Sequence, residues 1–122
     1  MFDRAIKFRA WDKEEKMMFD FDLDDIFEDG KKNTEDQSYA DYMKGTIIMQ
    51  YTGLIDKNGK EIYDGDIFTD KKWYVVKAKI EFENGMFGWW SDGREEFIPL
   101  NDCKEIEVIG NIYENPELLK NN

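Results

Sequence analysis

Residues 46–68 read TIIMQYTGLIDKNGKEIYDGDIF, and this stretch decides the fold. Its first six residues are rich in β-branched and aromatic side chains, which favour a strand. Asn58 and Gly59 tolerate positive φ and lie between apolar pairs, so they predict a tight turn between two strands. A second turn is predicted at residues 64–66, Asp-Gly-Asp. The stretch therefore indicates several short antiparallel strands in close succession.

The strand pattern continues after this stretch. Residues 73–82 alternate with period two, which predicts a half-buried strand. One face of that strand carries the apolar set Tyr74, Val76, Ala78, Ile80 and Phe82. Asn84 and Gly85 then predict a hairpin turn that leads into residues 86–90.

The C-terminal third contains two more predicted strands. Pro99 has no N–H to donate, so the strand around it should be short or lie at a sheet edge. Residues 105–113 form the last predicted strand. Asn115 as N-cap, with Pro116 at the first helical position, predicts a brief C-terminal helix.

The N-terminal part predicts a β-hairpin. Residues 4–10 alternate, with Phe8 and Ala10 on one side and Arg9 on the other, and residues 17–19 form the return strand after a polar turn. We therefore predict a mainly β fold, with a β-rich α+β fold as the alternative. Two parts are expected: residues 1–45, a β-containing segment with an acidic loop, and residues 46–122, a small closed or nearly closed barrel.

Composition excludes several classes of function. The 122 residues include 28 acidic and 17 basic side chains, one cysteine and no histidine, for a net charge of -11. Nucleophile systems and zinc sites that use imidazole need a residue that this chain lacks. The charge repels nucleic acid and anionic membranes at long range, so we expect no direct binding to either. A lone cysteine and the lack of a continuous apolar run predict a cytoplasmic protein without a membrane span.

The acidic residues do not form a recognisable metal or catalytic motif. Asp20, Asp22 and Asp24 have the opening spacing of a calcium loop, but Asp25 stands where that loop needs glycine and Lys31 where it needs glutamate. We interpret residues 20–29 as a solvated acidic loop, with weak cation binding left open. We predict no catalytic residue, no metal and no cofactor.

The single cysteine has two interpretations. Lys104 beside it could lower the pKa of the Cys103 thiol and make it reactive. Small apolar packing near a strand end is the commoner role of such a residue. We expect packing.

Aromatic residues cluster in one predicted antiparallel pair and form the candidate interaction surface. Consecutive residues of a strand point to opposite faces, so Trp89 or Trp90 must face away from the core of its sheet. Packing against a second layer, a subunit interface and an exposed binding face are all consistent with this pattern. The candidate surface consists of Trp73, Tyr74, Phe87, Trp89 and Trp90.

Three segments together resemble one known family. They read IKFRAWD at residues 6–12, MQYTGLIDKNGKEIYDGDI at residues 49–67 and VIGNIYENPELL at residues 108–119. In this order they resemble the YopX family of small phage and prophage proteins. The resemblance implies an SH3-like C-terminal barrel, an N-terminal β-containing part and a homo-oligomer. It implies no biochemical activity and no catalytic residues.

The expected function is therefore a non-enzymatic interaction or assembly module of a phage or prophage, with a protein partner from the host or the phage. A surplus of aromatic residues over what one small barrel buries also favours a homo-oligomer. One alternative is an acidic mimic of nucleic acid that inhibits a host enzyme. The other is an enzyme that works with carboxylates alone, for which paired acids with perturbed pKa values would be the sign.

Overall fold

The computed structural model describes residues 6–22, 45–101 and 103–120, and within them the chain is mainly β, with a curled half-barrel sheet. Ten strands and two 3₁₀ helices are present in these ranges. The strands are β1 Lys7–Asp12, β2 Met17–Asp22, β3 Thr46–Ile55, β4 Glu61–Tyr63, β5 Asp66–Asp70, β6 Val75–Lys79, β7 Glu81–Glu83, β8 Met86–Trp90, β9 Phe97–Pro99 and β10 Ile106–Asn111. The 3₁₀ helices are Asp92–Arg94 and Pro116–Leu119. Neither of them has the length or the apolar character that crossing a membrane requires.

The strands form three sheets. Their orders are β2-β1-β3-β4, β10-β5-β6 and β7-β8-β9. The chain also divides into two compact units between Tyr51 and Thr52, inside β3. The sequence placed its boundary six residues earlier, at the start of that strand.

The predicted N-terminal hairpin is present, with β1 antiparallel to β2. Phe8 stacks on Phe21 with 5.4 Å between ring centroids, and Ala10 is fully buried beside them. Arg9, assigned to the polar face by the alternation, is buried as well. β1 is the middle strand, so Arg9 is flanked by its register partners Asp20 in β2 and Met49 in β3.

The acidic loop predicted for residues 20–29 begins as strand. Asp20 and Asp22 belong to β2, where they face Arg9 and Lys7 across the ladder. The remainder of that loop, from Leu23 onward, lies outside the described residues.

The core of the second unit is organised around β5, the central strand of its sheet. Ile67 and Phe68 are fully buried, and so are Asp66 and Asp70 at the two ends of the strand. Register shifts in both ladders of β5 mark β-bulges, which bend and twist a strand. The buried cluster comprises Ile62, Phe68, Ile80, Trp89, Ile106 and Val108.

The predicted turn at Asn58 and Gly59 connects β3 to β4, and Gly59 adopts a φ of 83°. Asp56 organises this turn although it is buried. Its Oδ1 accepts the backbone N–H groups of Asn58 and Lys60 at 2.8 and 2.9 Å, and its Oδ2 accepts that of Val108 in β10 at 3.0 Å. One carboxylate thus joins the turn to a strand that follows it by some fifty residues.

The alternating stretch 73–82 is two strands that belong to different sheets, which corrects the prediction of one half-buried strand. β6 pairs with β5, whereas β7 pairs with β8, and the chain passes between the sheets at the buried Ile80. The apolar face predicted for this stretch is accordingly divided. Ile80 enters the core, while Tyr74 and Val76 are 91% and 79% exposed.

The C-terminal elements agree with the sequence only in part. β9 is three residues long and lies at a sheet edge, as Pro99 predicted. The predicted C-terminal helix is a single four-residue 3₁₀ turn with Pro116 at its start. Asn115 does not cap it with its side chain, because the Asn115 carboxamide oxygen accepts the backbone N–H of Asn111 at 3.2 Å instead.

Asp56→Asn should destabilise the protein. Its free energy of unfolding should also fall less steeply than that of the wild type as the pH is lowered. Burial by itself would raise the pKa of Asp56, but the N–H donors of Val108, Lys60 and Asn58 outweigh it and hold that pKa below its ordinary value. A depressed folded-state pKa stabilises the fold above the unfolded pKa, and the gain is lost as the pH falls through the folded value. We expect a loss of about 1–3 kcal/mol at pH 7, because the new amide N–H₂ group opposes a backbone donor.

Urea denaturation of both proteins between pH 7 and pH 2 measures this effect. Glu105→Gln, at an exposed acid, is the matched control and should stay within about 0.5 kcal/mol of the wild type. An Asp56→Asn protein that loses stability with acid as steeply as the wild type would contradict the assignment.

Gly88→Ala should destabilise the second unit. A Cβ at Gly88 would overlap the carbonyl oxygen of Ile98 in β9 and lie 2.8 Å from the ring of Phe97. Because backbone cannot rotate away, β8 and β9 must separate, and we expect a loss of about 1–3 kcal/mol in thermal or urea unfolding. Gly45→Ala, where a Cβ meets no atom within 4 Å, should leave stability unchanged. Equal stability of the two variants would refute the close approach.

Candidate interaction site

The site begins at the turn between β5 and β6, which Asp70 holds in place. Asp70 is buried at the end of β5, and its Oδ1 accepts the backbone N–H groups of Lys72 and Trp73 at 2.8 and 3.2 Å. This is an Asx turn, in which a side chain replaces a backbone acceptor. Across the same turn the hydroxyl of Thr69 donates to the carbonyl of Val75 at 2.9 Å. These three hydrogen bonds fix the backbone of the turn.

Tyr74 at the end of this turn has an unusual conformation. Its φ is 56°, in the left-handed region that costs an ordinary residue about 1 kcal/mol. Its ring is 91% exposed, so packing of the side chain does not offset that cost. A strained residue that offers a large ring to solvent is more typical of a binding surface than of a turn selected for stability.

Trp73 and Trp89 connect this turn to the core. Trp89 is 3% exposed and packs edge-to-face on Phe68, with 5.2 Å between ring centroids. Trp73 lies against Trp89 in a second edge-to-face contact at 6.4 Å and remains half exposed. A continuous aromatic row thus runs from the core of the unit to its surface.

Trp90 lies on the opposite face of β8 from Trp89, as the alternation of a strand requires. It packs edge-to-face on Phe97 of β9 at 5.3 Å. The guanidinium of Arg94 lies 4.7 Å from the centroid of its ring, in a cation–π contact, and is also 3.6 Å from the carboxylate of Glu81. Trp90 is therefore half-buried under its own neighbours.

These aromatic residues surround one cavity of about 480 Å³, which we call the aromatic cavity. One wall is formed by the β5–β6 turn and β6, and the other by the ends of β8 and β9. The residues that define it are Trp73, Tyr74, Val76, Trp89, Trp90 and Ile98. The volume is in the range of sites that hold small ligands or a few side chains of a partner.

The cavity lies where two neighbouring strands separate. Pairing of β7 with β8 stops at Glu81 and Gly88. Beyond that pair, among the strands of the described ranges, Trp89 and Trp90 form ladder pairs only with β9, and β6 pairs only with β5. β6 is consequently an edge strand of its sheet, and its exposed edge borders the cavity.

The turn before β6 and β6 itself are basic although the chain is acidic. Residues 71–79 read KKWYVVKAK, with four lysines and no acid. Lys77 lines the cavity, and so does Glu95. Of the other nearby acids, Asp70 is buried against backbone N–H groups and Glu81 pairs with Arg94.

Two polar atoms of the cavity residues have no hydrogen-bond partner among the described residues. They are the indole Nε1 atoms of Trp89 and Trp90, both of which are buried. Both atoms are out of contact with solvent, so they do not face the open space of the cavity.

Four of the five residues of the predicted interaction surface, namely Trp73, Tyr74, Trp89 and Trp90, line this cavity. Phe87 does not. It lies on the other side of Gly88 and packs against Phe82 with 4.9 Å between ring centroids. Sequence reasoning missed Val76 as a surface residue, because the alternation assigned it to the core side of a strand.

A second cavity, of about 660 Å³, is lined by residues 53–57, Asn101, Cys103 and Lys104. Cys103 is half-buried and packs against the core. Asp56, the acid in this cavity, is engaged by three backbone donors, which leaves its carboxylate a structural role. Within the described ranges no three Cys, Asp or Glu side chains come together as a metal site.

The fold and this site define a small β protein with an aromatic cavity beside a basic strand edge. A comparison with family models matches the YopX protein family over residues 7–120. The chain therefore belongs to the YopX family. A comparison with solved structures finds the crystal structure of protein EF1440 from Enterococcus faecalis, with 30% identity and a TM-score of 0.63 over 94% of this chain and 98% of that one. No curated protein matches the chain.

Tyr74→Gly should keep or raise stability. Glycine adopts a left-handed φ without strain, and the exposed ring contributes little packing, so we expect a change between zero and about +1 kcal/mol in urea unfolding. Lys71→Gly in the same turn is the matched control. Lys71 does not have a positive φ, so glycine there should lower stability by about 0.5–1 kcal/mol. A clear loss of stability in Tyr74→Gly would show that the ring supports the fold.

Proposed function

We propose that this protein is a non-enzymatic interaction module of a phage or prophage, and that it binds a protein partner at the aromatic cavity. The observation that carries the proposal is the exposure of Tyr74 and Val76, 91% and 79%, beside half-exposed Trp73 on a rigid turn. Exposed aromatic side chains held in place by a scaffold are typical of the residues that dominate binding energy in protein interfaces.

The rigidity of the turn favours binding over simple exposure. An interface side chain loses less entropy on binding when its backbone is already ordered. The Asp70 carboxylate orders the backbone of Lys72 and Trp73 in this way. The contact of Trp73 with Trp89 then links the exposed ring to the core.

A carboxylate enzyme has less support. The chain has no histidine, and Asp56, whose pKa is lowered, is occupied by backbone N–H groups of Val108, Lys60 and Asn58. A general acid or base needs a pKa near the working pH, which means that a carboxyl pKa must be raised. The pKa of Asp56 is shifted in the opposite direction, below its ordinary value.

The finer description of the second unit as an SH3-like barrel also belongs to this proposal. Short antiparallel strands, an Asn-Gly turn at residues 58–59 and another at residues 84–85 support it. An experimental structure in which strands β5–β10 do not have the strand order of an SH3-like barrel would overturn that description.

Tyr74→Asn combined with Val76→Thr should abolish capture of the partner. Asparagine tolerates the left-handed φ and threonine keeps the shape of valine, so both changes remove apolar surface while the fold is kept. Affinity capture of the tagged protein from bacterial lysate with nuclease added, read by mass spectrometry, measures the effect. Loss of two interface residues should reduce the captured partner at least about tenfold.

Met17→Gln combined with Ile48→Thr is the matched control, because both residues are exposed apolar side chains of the first unit. Equal capture by the two double variants would place the contact elsewhere and refute the proposal. Capture of a nucleic-acid enzyme that is lost at high salt in both variants alike would support the acidic mimic instead. Self-association in light scattering without any captured partner would support a homo-oligomeric assembly role.

A further inference from the structure

We propose that the occupant of the aromatic cavity is an extended, acidic segment of the partner, which adds to the exposed edge of β6 as an extra strand. The inference rests on the proposed function, since it names the chemistry of the partner at the same site. It is carried by two separate observations: the strand pairing and the distribution of charge.

The strand pairing provides the place for an added strand. An edge strand presents backbone N–H and C=O groups on its outer side, and addition of a peptide strand is a recurrent mode of recognition. β6 is such an edge, because β5 is its neighbour and the ladder of β7 with β8 ends at Glu81 and Gly88. An extended segment along β6 would enter the space where β6 and β8 separate, which is the aromatic cavity.

The lysines determine which kind of segment fits. Lys77 and Lys79 are two residues apart, so they share one face of β6, and Lys71 and Lys72 precede them in the exposed turn. Opposite charges across a strand pair are favourable and like charges unfavourable. A segment with acids at alternate positions therefore matches this edge. A second copy of β6 would bring lysines against lysines.

The apolar contacts determine the residues between those acids. The register shift in the ladder with β5 interrupts the alternation of β6, so Val76 is exposed whereas Ala78 packs against the core. Both residues line the cavity together with Trp89 and Trp90. Apolar side chains at the alternate positions of an added strand would lie among these residues. The expected pattern of the occupant is therefore acidic and apolar in alternation, which is a strand pattern.

The tryptophans of the cavity provide a signal for its occupancy. Occupancy should change the emission of the tryptophans, three of which, Trp73, Trp89 and Trp90, line the cavity.

A nucleic acid has less support as the occupant. Single strands bind aromatic and basic surfaces, but their phosphates form no backbone ladder with a strand edge. The net charge of -11 also repels a polyphosphate at long range, whereas a short segment with a few acids meets mainly the local lysines.

The test uses the 122-residue chain and four probes. The first is an acetylated and amidated eight-residue peptide of alternating glutamate and valine, and the second replaces each glutamate with lysine. The third keeps the glutamate and valine side chains but carries N-methyl groups on alternate backbone nitrogens, which removes the ladder donors. The fourth is an eight-nucleotide oligothymidylate. Tryptophan fluorescence and calorimetry measure binding.

We expect the glutamate peptide to bind at least about tenfold tighter than the lysine peptide, with the preference decreasing as salt rises. N-methylation should weaken binding by at least about tenfold, because it removes the backbone bonds that give strand addition its affinity. Lys77→Glu combined with Lys79→Glu should reverse the preference, so that the lysine peptide binds better. Circular dichroism establishes that this variant is folded, and the peptide comparison on the wild type does not depend on it.

Several results would overturn the inference. An N-methylated peptide that binds as tightly as its parent rules out strand addition, and equal binding of the lysine peptide or of the oligothymidylate rules out the acidic occupant. Failure of the glutamate peptide to bind at concentrations up to about 1 mM would also rule out the acidic occupant. If capture still depends on Tyr74 and Val76, these results refute the acidic strand and leave the proposed function in place. If capture does not depend on them, the proposed function fails.

Discussion

Buried aspartates that accept backbone N–H groups are the interaction on which the second unit depends. Asp56 takes three such donors from a turn and from β10, Asp66 takes that of Tyr63 at 2.8 Å, and Asp70 takes two from the turn after β5. Short strands leave many N–H groups at their ends without ladder partners, and an unpaired buried N–H is costly. A carboxylate at each of these three turns satisfies such groups, which allows a unit with few long ladders to have a compact core.

The same arrangement creates the candidate site. Both ends of β5 are buried, so the turns that precede and follow this strand start from fixed positions. The turn after Asp70 places Trp73 on Trp89 and leaves the ring of Tyr74 in solvent. The chain then changes sheet at Ile80, which leaves β6 and the end of β8 without a common ladder. The aromatic cavity is the space between them.

Electrostatics separate this region from the rest of an acidic chain. The charge of -11 is spread along the sequence, yet every side chain of residues 71–79 that is charged at neutral pH is a lysine. Of the nearest acids, Asp70 accepts the backbone N–H groups of the turn and Glu81 pairs with Arg94. A local positive edge on a negative protein selects partners by charge pattern as well as by shape.

Much of the fold follows from the sequence because it rests on local chemistry. Asn58 with Gly59 and Asn84 with Gly85 mark turns, since asparagine and glycine tolerate positive φ, which Gly59, Asn84 and Gly85 adopt. Pro99 marks a short edge strand, because it lacks a donor. Alternation with period two predicted β1. The resemblance of three segments to the YopX family agrees with the match to the family model over residues 7–120.

Tertiary structure alone decided which side of each strand is buried and which sheet it joins. Alternation predicts that Val76 and Ile80 share a face, but the register shift in β6 and the change of sheet at Ile80 place one in solvent and the other in the core. Arg9 is buried between its register partners Asp20 and Met49 of the two neighbouring strands. Four of the five aromatic residues chosen from sequence meet at one cavity, and Phe87 is separated from it by Gly88. The physical reason is that periodicity is a property of one strand, whereas burial and pairing depend on which strands lie beside it.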